Sequence, residues 1–490
     1  MRRSLITLAL VLVVLIGGGV GYAIYQINRI HRVVVHDLTP RATVGKQAGT
    51  ENILLVGSTS RCAVKPAKNF ENFVQECKAG VNGVNSDVIM VLRLQPGRAP
   101  MLLSIPRDTF VPNARAGGLY NKIDAALADG PDQLVAAIQQ DFGIPINHYV
   151  VLNFQTFANI VTALGGISMY FPTTLYDAYS GLRINNTGCV HISGLMALAL
   201  VRARHLNYNY DKATGQWRGY DPTGDLGRIV RVHLFLRALA AEVAKRGLSN
   251  PVTDNALLSA LAPDLTVDST FGIREMLSLL LEYHSSLSKA QEMTLPIVED
   301  TQLYYYQGYD YGDVVFPVQP EDSQTIAAFL GEHPKLPAAS SIRVSVVNAT
   351  TSPSAASATV QGLNADGFKV TATTSTTPVG PIAETSVVYP DAAALPAAER
   401  VLASLSGTAV LARGKPTPGS EVSVVVGTNV AVSHVVTTAA HRGRAPLAAT
   451  LLGAAVPANV PNSGSIISPP TPATSSVPWF DPRPCPAAAK

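Results

Sequence analysis

Leu102-Leu103-Ser104-Ile105-Pro106-Arg107-Asp108 sets an arginine directly behind a short apolar run. A Pro96-Gly97 turn before the run and Pro106 after it give the length and punctuation of a buried strand. An arginine at the end of such a strand is half-buried and needs an anion partner. Three more segments place cations in or beside apolar stretches: Asn121-Lys122-Ile123-Asp124, Val201-Arg202-Ala203-Arg204-His205, and Gly224-Asp225-Leu226-Gly227-Arg228-Ile229-Val230-Arg231. Arg107, Lys122, Arg202, Arg204, Arg228 and Arg231 converging on one cleft would repel one another unless a multiply charged anion lay between them. Pyrophosphate suits, because the guanidinium fork matches its oxygens two at a time.

Outward from this stretch, strand and helix patterns alternate for about 200 residues. Residues 51–57, 87–94 and 149–154 read as strands, and 167–171 as another. Residues 131–142, 154–164, 193–203 and 226–243 carry helical spacing, with Gly165-Gly166 as a helix stop. The fold class is α/β, an α+β layered domain with a central mixed sheet flanked by helices. Helices and a strand over 293–298 complete that domain, which is expected to run from 51 to 340. A small second α/β domain follows over 341–428. Residues 429–490 are rich in Ala, Pro, Ser and Thr and read as a disordered tail.

The N-terminus points to a membrane. Residues 1–4 are a short basic start, and 5–27 form an uncharged apolar run long enough to cross a bilayer. The length favours an uncleaved signal anchor, followed by a linker over 28–50. The expected location is a single-pass plasma-membrane protein with its bulk outside the cytoplasm. A formal net charge of +3 on 490 residues gives no global basic field, which argues against nucleic acid as a partner. No glycine-rich phosphate loop implies a nucleotide cofactor. Four cysteines allow three disulfide pairings; Cys62 and Cys77 bracket a polar insertion and are the favoured pair, while the partners of Cys189 and Cys485 stay open.

The motifs together resemble the LytR-CpsA-Psr family of cell-wall glycopolymer ligases. The resemblance covers roughly residues 51 to 300 and rests on Asn52 to Gly57, Ser86-Asp87, Ser104 to Asp108, Asn121 to Asp124, Tyr149 to Gly166, Val201 to Arg204 and Gly224 to Arg231. The region after 341 resembles the family's C-terminal accessory domain, as in actinobacteria. The resemblance implies a phosphotransferase. It would move a glycopolymer from a polyprenyl-pyrophosphate carrier to a peptidoglycan hydroxyl, with arabinogalactan or a similar polymer as cargo and lipid pyrophosphate hydrolysis as a side activity. On that reading Asp87 and Arg107 are catalytic, and the six cations bind pyrophosphate. Asp87 also holds Mg²⁺ or Mn²⁺. The apolar segments 154–164 and 195–200 suit a lipid slot, and equally an ordinary helix core.

The sequence departs from the family pattern at two places. Thr59 stands where a second metal carboxylate is expected, and Val232, beside His233, stands where a Gln is usual. The Thr59 change motivates an alternative reading as a non-catalytic binder of lipid-linked wall precursors. Transcriptional attenuation, the family's historical label, is opposed by the anchor and the near-neutral charge. Asp108 and Asp225 are expected to orient guanidinium groups, and Asp225 also suits a helix N-cap. His191, His205 and His233 read as surface or core histidines.

Overall fold

The computed structural model describes residues 29–58, 85–246, 259, 265–299, 303–331, 336–375, 384–432 and 477–485. The expected anchor at 5–27, Thr59, Cys62 and Cys77 lie outside the described residues, as does most of the tail. Among the described residues, no helix is long and apolar enough to cross a membrane.

A mixed sheet forms the centre. Its strands run in the order His31–Val33, Leu265–Asp268, His148–Asn153, Glu51–Ser58, Ser86–Leu94, Met101–Ile105 and Gln291–Thr294. Glu51–Ser58 pairs parallel to His148–Asn153 and antiparallel to Ser86–Leu94. Both faces of the sheet are covered, which is why these strands read as continuous apolar runs. Side chains alternate between the faces. Leu54, Val56, Ile89 and Val91 meet Leu134, Val135 and Ile138 of the helix Pro131–Phe142. That helix begins on a proline in its first turn and ends on Gly143 at φ 67°, a left-handed cap that glycine adopts without strain.

On the opposite face, Val88, Met90 and Leu92 pack into a cluster with Ala158, Val161, Leu198, Leu200, Val232 and Phe235. These come from the helices Phe154–Ala163, Gly194–Arg202 and Gly224–Arg246. Asn153 caps the first, its side chain accepting from Thr156 N at 2.8 Å. Arg107 follows the end of Met101–Ile105, and Asp87 is the second residue of the neighbouring strand, so antiparallel pairing brings the two to one edge.

The structure corrects several expectations. The 28–50 linker contains an edge strand of the central sheet, His31–Val33, paired parallel to Leu265–Asp268. The single strand over 293–298 is two strands in two sheets: Gln291–Thr294 joins the centre, and Ile297–Glu299 joins the C-terminal domain. The 340/341 boundary is bridged, because Val315–Gln319 pairs with Leu405–Arg413 through Val318↔Thr408 and Gln319↔Gly407. The tail is not disordered throughout. Residues 477–485 lie on the first domain, with Arg483 and Pro484 paired to Tyr170 and Met169, Phe480 stacked on Tyr208 at 4.2 Å, and Cys485 bonded to Cys189.

Candidate functional site

Five of the six expected cations gather at the edge where Asp87 and Arg107 meet. Arg107 Nη1 donates to Asp87 Oδ1, and its Nε donates to Asp108 Oδ2 at 3.3 Å. Lys122 Nζ lies 3.3 Å from the other oxygen of Asp108. Asp108 therefore bridges two cations. A solvent-open cleft is lined by Asp87, Arg107, Tyr179, Ser180, Arg202, Arg204, His205 and Arg228. Burial works against the charge of Arg107, but Asp108, Asp87, Asp225 and Asp124 outweigh it and hold the guanidinium firmly protonated.

Arg228 is held rigid. Its Nε and Nη2 donate to the two oxygens of Asp225 at 2.9 and 3.0 Å, a bidentate fork one helical turn apart. Burial would raise the Asp225 carboxyl, yet Arg228, followed by Arg107 and Arg204, holds it below its ordinary value. Arg204 is the more open cation, its Nη1 4.0 Å from Asp225 Oδ1. Burial first, then the charge of Arg107, lowers its pKa. A guanidinium pushed down by a neighbouring guanidinium marks a spot where positive charge is in excess.

Arg231 does not belong to the cleft lining. It is fully buried, its Nη1 donating to Asp221 Oδ2 at 2.7 Å and Asp481 Oδ1 at 3.1 Å, and its Nη2 to Ala203 O at 2.9 Å. This arginine fastens the Arg202-Ala203-Arg204 turn from beneath. A Cβ at Gly227 would come within 2.5 Å of Asp221 Oδ2, so glycine there leaves the carboxylate its path to Arg231.

Sequence reasoning missed four contributors. Tyr179, Ser180 and His205 line the cleft, and the ring of His205 sits 4.4 Å from that of Tyr179. Buried Asp177 accepts from the backbone N–H groups of Tyr179, Ser180, Arg204 and His205, tying both rims of the cleft to one carboxylate. The Asp177-Ala178-Tyr179-Ser180-Gly181 stretch carries an Asx-turn signal that could have been found. Asp124 lies behind the cations, its backbone N donating to Arg107 O at 3.1 Å. Burial raises its carboxyl to about 7, against the lowering effect of Arg107. His233 is a core residue, its Nε2 2.6 Å from Ser104 Oγ, and His191 Nε2 lies 2.7 Å from Gly165 O near the surface.

For Mg²⁺, the described cleft offers Asp87. One oxygen is engaged by Arg107; the other has no hydrogen-bond partner among the described residues. Mg²⁺ commonly binds through one or two carboxylates plus substrate phosphates, so this donor set fits it when a phosphate ligand is present. The second expected donor position, Thr59, is outside the described residues.

Comparison with known proteins gives the chain its relatives. The LytR_cpsA_psr family matches residues 26–315, and a domain described as LytR cell envelope-related transcriptional attenuator matches 341–429. The "Probable cell wall biosynthesis protein LcpB" of Corynebacterium glutamicum is 31% identical over 289 residues, covering 59% of this chain and 62% of that protein. LcpA of the same organism is 28% identical over 304 residues, 55% of each. The chain thus spans less than two thirds of the length of these two relatives. The polyisoprenyl-teichoic acid–peptidoglycan teichoic acid transferase TagU of Bacillus mycoides is 27% identical, covering 61% of this chain and 90% of that protein. Among solved structures, a LytR-Csp2A-Psr enzyme from Actinomyces oris aligns with a TM-score of 0.47 at 24% identity, over 63% of this chain and 97% of that one.

Proposed function

The chain belongs to the LytR-CpsA-Psr family, whose match covers residues 26–315, and from that premise we propose that it transfers a wall glycopolymer from a polyprenyl-pyrophosphate carrier to a hydroxyl of peptidoglycan. The observation that carries the reading is the cluster of Arg107, Arg202, Arg204 and Arg228 around one cleft with Asp87 at its edge. Arg107, Lys122, Arg202, Arg204 and Arg228 against the carboxylates Asp87, Asp108 and Asp225 leave an excess of two positive charges that a pyrophosphate neutralises. The relatives' names point the same way, TagU being named for transfer of teichoic acid from a polyisoprenyl carrier to peptidoglycan.

In the proposed reaction, the acceptor oxygen attacks the sugar-bearing phosphorus. A P–O bond forms there, and the P–O bond to the lipid phosphate breaks. Polyprenyl phosphate leaves, and the hydroxyl proton passes to Asp87. Arg107 and Arg228 are held by carboxylates before substrate arrives, so they meet the developing charge without reorganising. Arg204, the open cation, takes the outer phosphate. Where Asp87 instead holds Mg²⁺ with the phosphates, the ion would add charge neutralisation and the hydroxyl proton would pass to the departing lipid phosphate. Water in place of the acceptor would give hydrolysis of the donor.

A second reading, a non-catalytic binder of the same lipid, is favoured by Thr59 where a metal carboxylate is expected. Release of polyprenyl phosphate separates the two. The full chain in detergent is incubated with a polyprenyl-pyrophosphate oligosaccharide, with and without Mg²⁺, beside Arg107→Ala. Release that needs Arg107 supports transfer; saturable binding without release supports the binder.

A further inference from the structure

Far from the cleft, a second polar cluster sits at the other end of the central strand. Glu51 begins the strand Glu51–Ser58, whose last residue neighbours Ser86 at the cleft edge. The two ends are about 23 Å apart by strand rise. Glu51 is fully buried; the Arg41 guanidinium lies 2.8 Å from its Oε1, while its Oε2 has no hydrogen-bond partner among the described residues. A buried carboxylate oxygen left without a partner is costly.

Three donor atoms face one another there. His148 Nε2 lies 3.8 Å from Glu51 Oε2 and 3.6 Å from Glu275 Oε2. Arg41 approaches from the opposite side and reaches only the other oxygens, Glu51 Oε1 at 2.8 Å and Glu275 Oε1 at 3.5 Å. The Oε2–Nε2–Oε2 triangle is therefore not filled by the guanidinium. The orientation of His148 is fixed from behind. Its Nδ1 lies 3.1 Å from Asp268 Oδ2, and its ring stacks on Phe271 at 4.0 Å. Asp268 also accepts from the backbone N–H groups of Tyr149, Thr270 and Phe271, so it is held as an anion and an acceptor. A His148 that donates through Nδ1 to Asp268 points Nε2 toward the two carboxylate oxygens, where a metal ion could take its lone pair. At 3.8 and 3.6 Å, His148 Nε2 is too far from either oxygen to hydrogen-bond to it, and donor atoms of the three residues all lie within 4.8 Å of one another. Around a tetrahedral zinc with bonds of about 2.0–2.1 Å, donors lie about 3.3–3.4 Å apart. The two histidine–carboxylate edges reach that spacing by contracting a few tenths of an ångström.

We infer that Glu51, His148 and Glu275 form a zinc site, with Asp268 orienting the histidine and water as the fourth ligand. One imidazole and two carboxylates suit Zn²⁺, and a carboxylate behind the ligating histidine is the usual outer support. The ion would tie together the start of the central strand, its parallel neighbour His148–Asn153, and the helix Ile273–Tyr283. Its role is structural, since no residue of the cation cleft takes part.

The test uses the full chain in detergent, stripped with EDTA and titrated with Zn²⁺ alone by calorimetry. Thermal melts are run with and without Zn²⁺. Glu275→Gln keeps the fold because its side chain is 28% exposed, and its metal-free circular dichroism checks this. His148→Gln is the stronger variant, and Arg107→Ala is the control for the cleft. The expected result is one Zn²⁺ per chain and a raised melting temperature. Glu275→Gln would weaken binding at least tenfold and remove the thermal shift. Arg107→Ala would leave both unchanged. No uptake by the native chain overturns the site, as does uptake that both Glu275→Gln and His148→Gln leave intact.

Discussion

Arg231 and Asp481 are 250 positions apart in sequence, and their side chains meet at 3.1 Å in a fully buried ion pair. Asp221 accepts from the same nitrogen at 2.7 Å, and burial is the chief cause that raises the Asp481 carboxyl to about 6. The C-terminal segment thus completes the charge balance of an arginine that holds the Arg202-Ala203-Arg204 turn. Removing Arg231 leaves two buried carboxylates without their cation. Arg231→Ala is expected to cost about 3–5 kcal/mol in urea unfolding. Arg204→Ala, at a more open side chain, is expected to change stability by about 0.5 kcal/mol or less. Equal losses for the two variants would contradict the division between fastening and cleft-lining arginines.

The C-terminal segment is also held covalently. Cys485→Ser opens the Cys189–Cys485 bridge, which closes a loop with a sequence separation of 296 residues. Long loops give disulfides their largest effect on the unfolded chain, so the variant is expected to lose about 2–4 kcal/mol. Chemical denaturation under non-reducing conditions measures it, and an unchanged midpoint would show that the bridge adds nothing to stability.

Stability is expected to fall between pH 6.5 and 8. Burial raises Asp322 to about 8, and Asp124 and Glu399 each to about 7. Each keeps a proton in the folded chain that the unfolded chain has already released. Their stabilising contribution is full below the ordinary carboxylate range and is lost as pH rises through the folded values. His233, lowered to about 4 chiefly by burial, acts in the opposite sense but only below about pH 6.5. Melting temperatures across this window should decline, and Asp322→Asn should flatten the decline. A flat native profile would contradict these assignments.

Much of the first domain is legible from local pattern. The strand at 101–105 and the helix at 131–142 follow from apolar runs, a proline start and a glycine stop, whereas Asp87 entered the site only through the family resemblance. Arg231 is the instructive failure. It lies three residues after Arg228, on the same helix face, and spacing alone cannot tell a cleft arginine from one locked beneath it. Its partner Asp481 sits in a stretch whose Ala/Pro/Ser/Thr-rich surroundings read as disordered. The strands Leu175–Asp177, Asn207–Asp211 and Gln216–Tyr220 escape detection because they are short and alternate around tyrosines without a long apolar run. Edge strands borrowed across a domain boundary, as at Val315–Gln319, leave no local signal at all.

Pyrophosphate affinity should separate the cleft's cations. Arg204→Ala is expected to weaken binding of a polyprenyl-pyrophosphate analogue about 10- to 100-fold, as loss of hydrogen bonds to a charged group does. Arg228→Lys keeps the charge but breaks the fork to Asp225, so it should lose binding that a simple point charge would retain. Fluorescence titration reads both, and full binding by Arg228→Lys would show that geometry at this site is unimportant.

The most direct measurement supplies both donor and acceptor. The full chain is incubated with a polyprenyl-pyrophosphate oligosaccharide and peptidoglycan fragments, and the products are followed by phosphorus NMR and mass spectrometry. The account predicts a new sugar–phosphate–peptidoglycan diester together with free polyprenyl phosphate, both lost in Arg107→Ala. Donor that binds in the cleft yet stays intact in the presence of acceptor would contradict it.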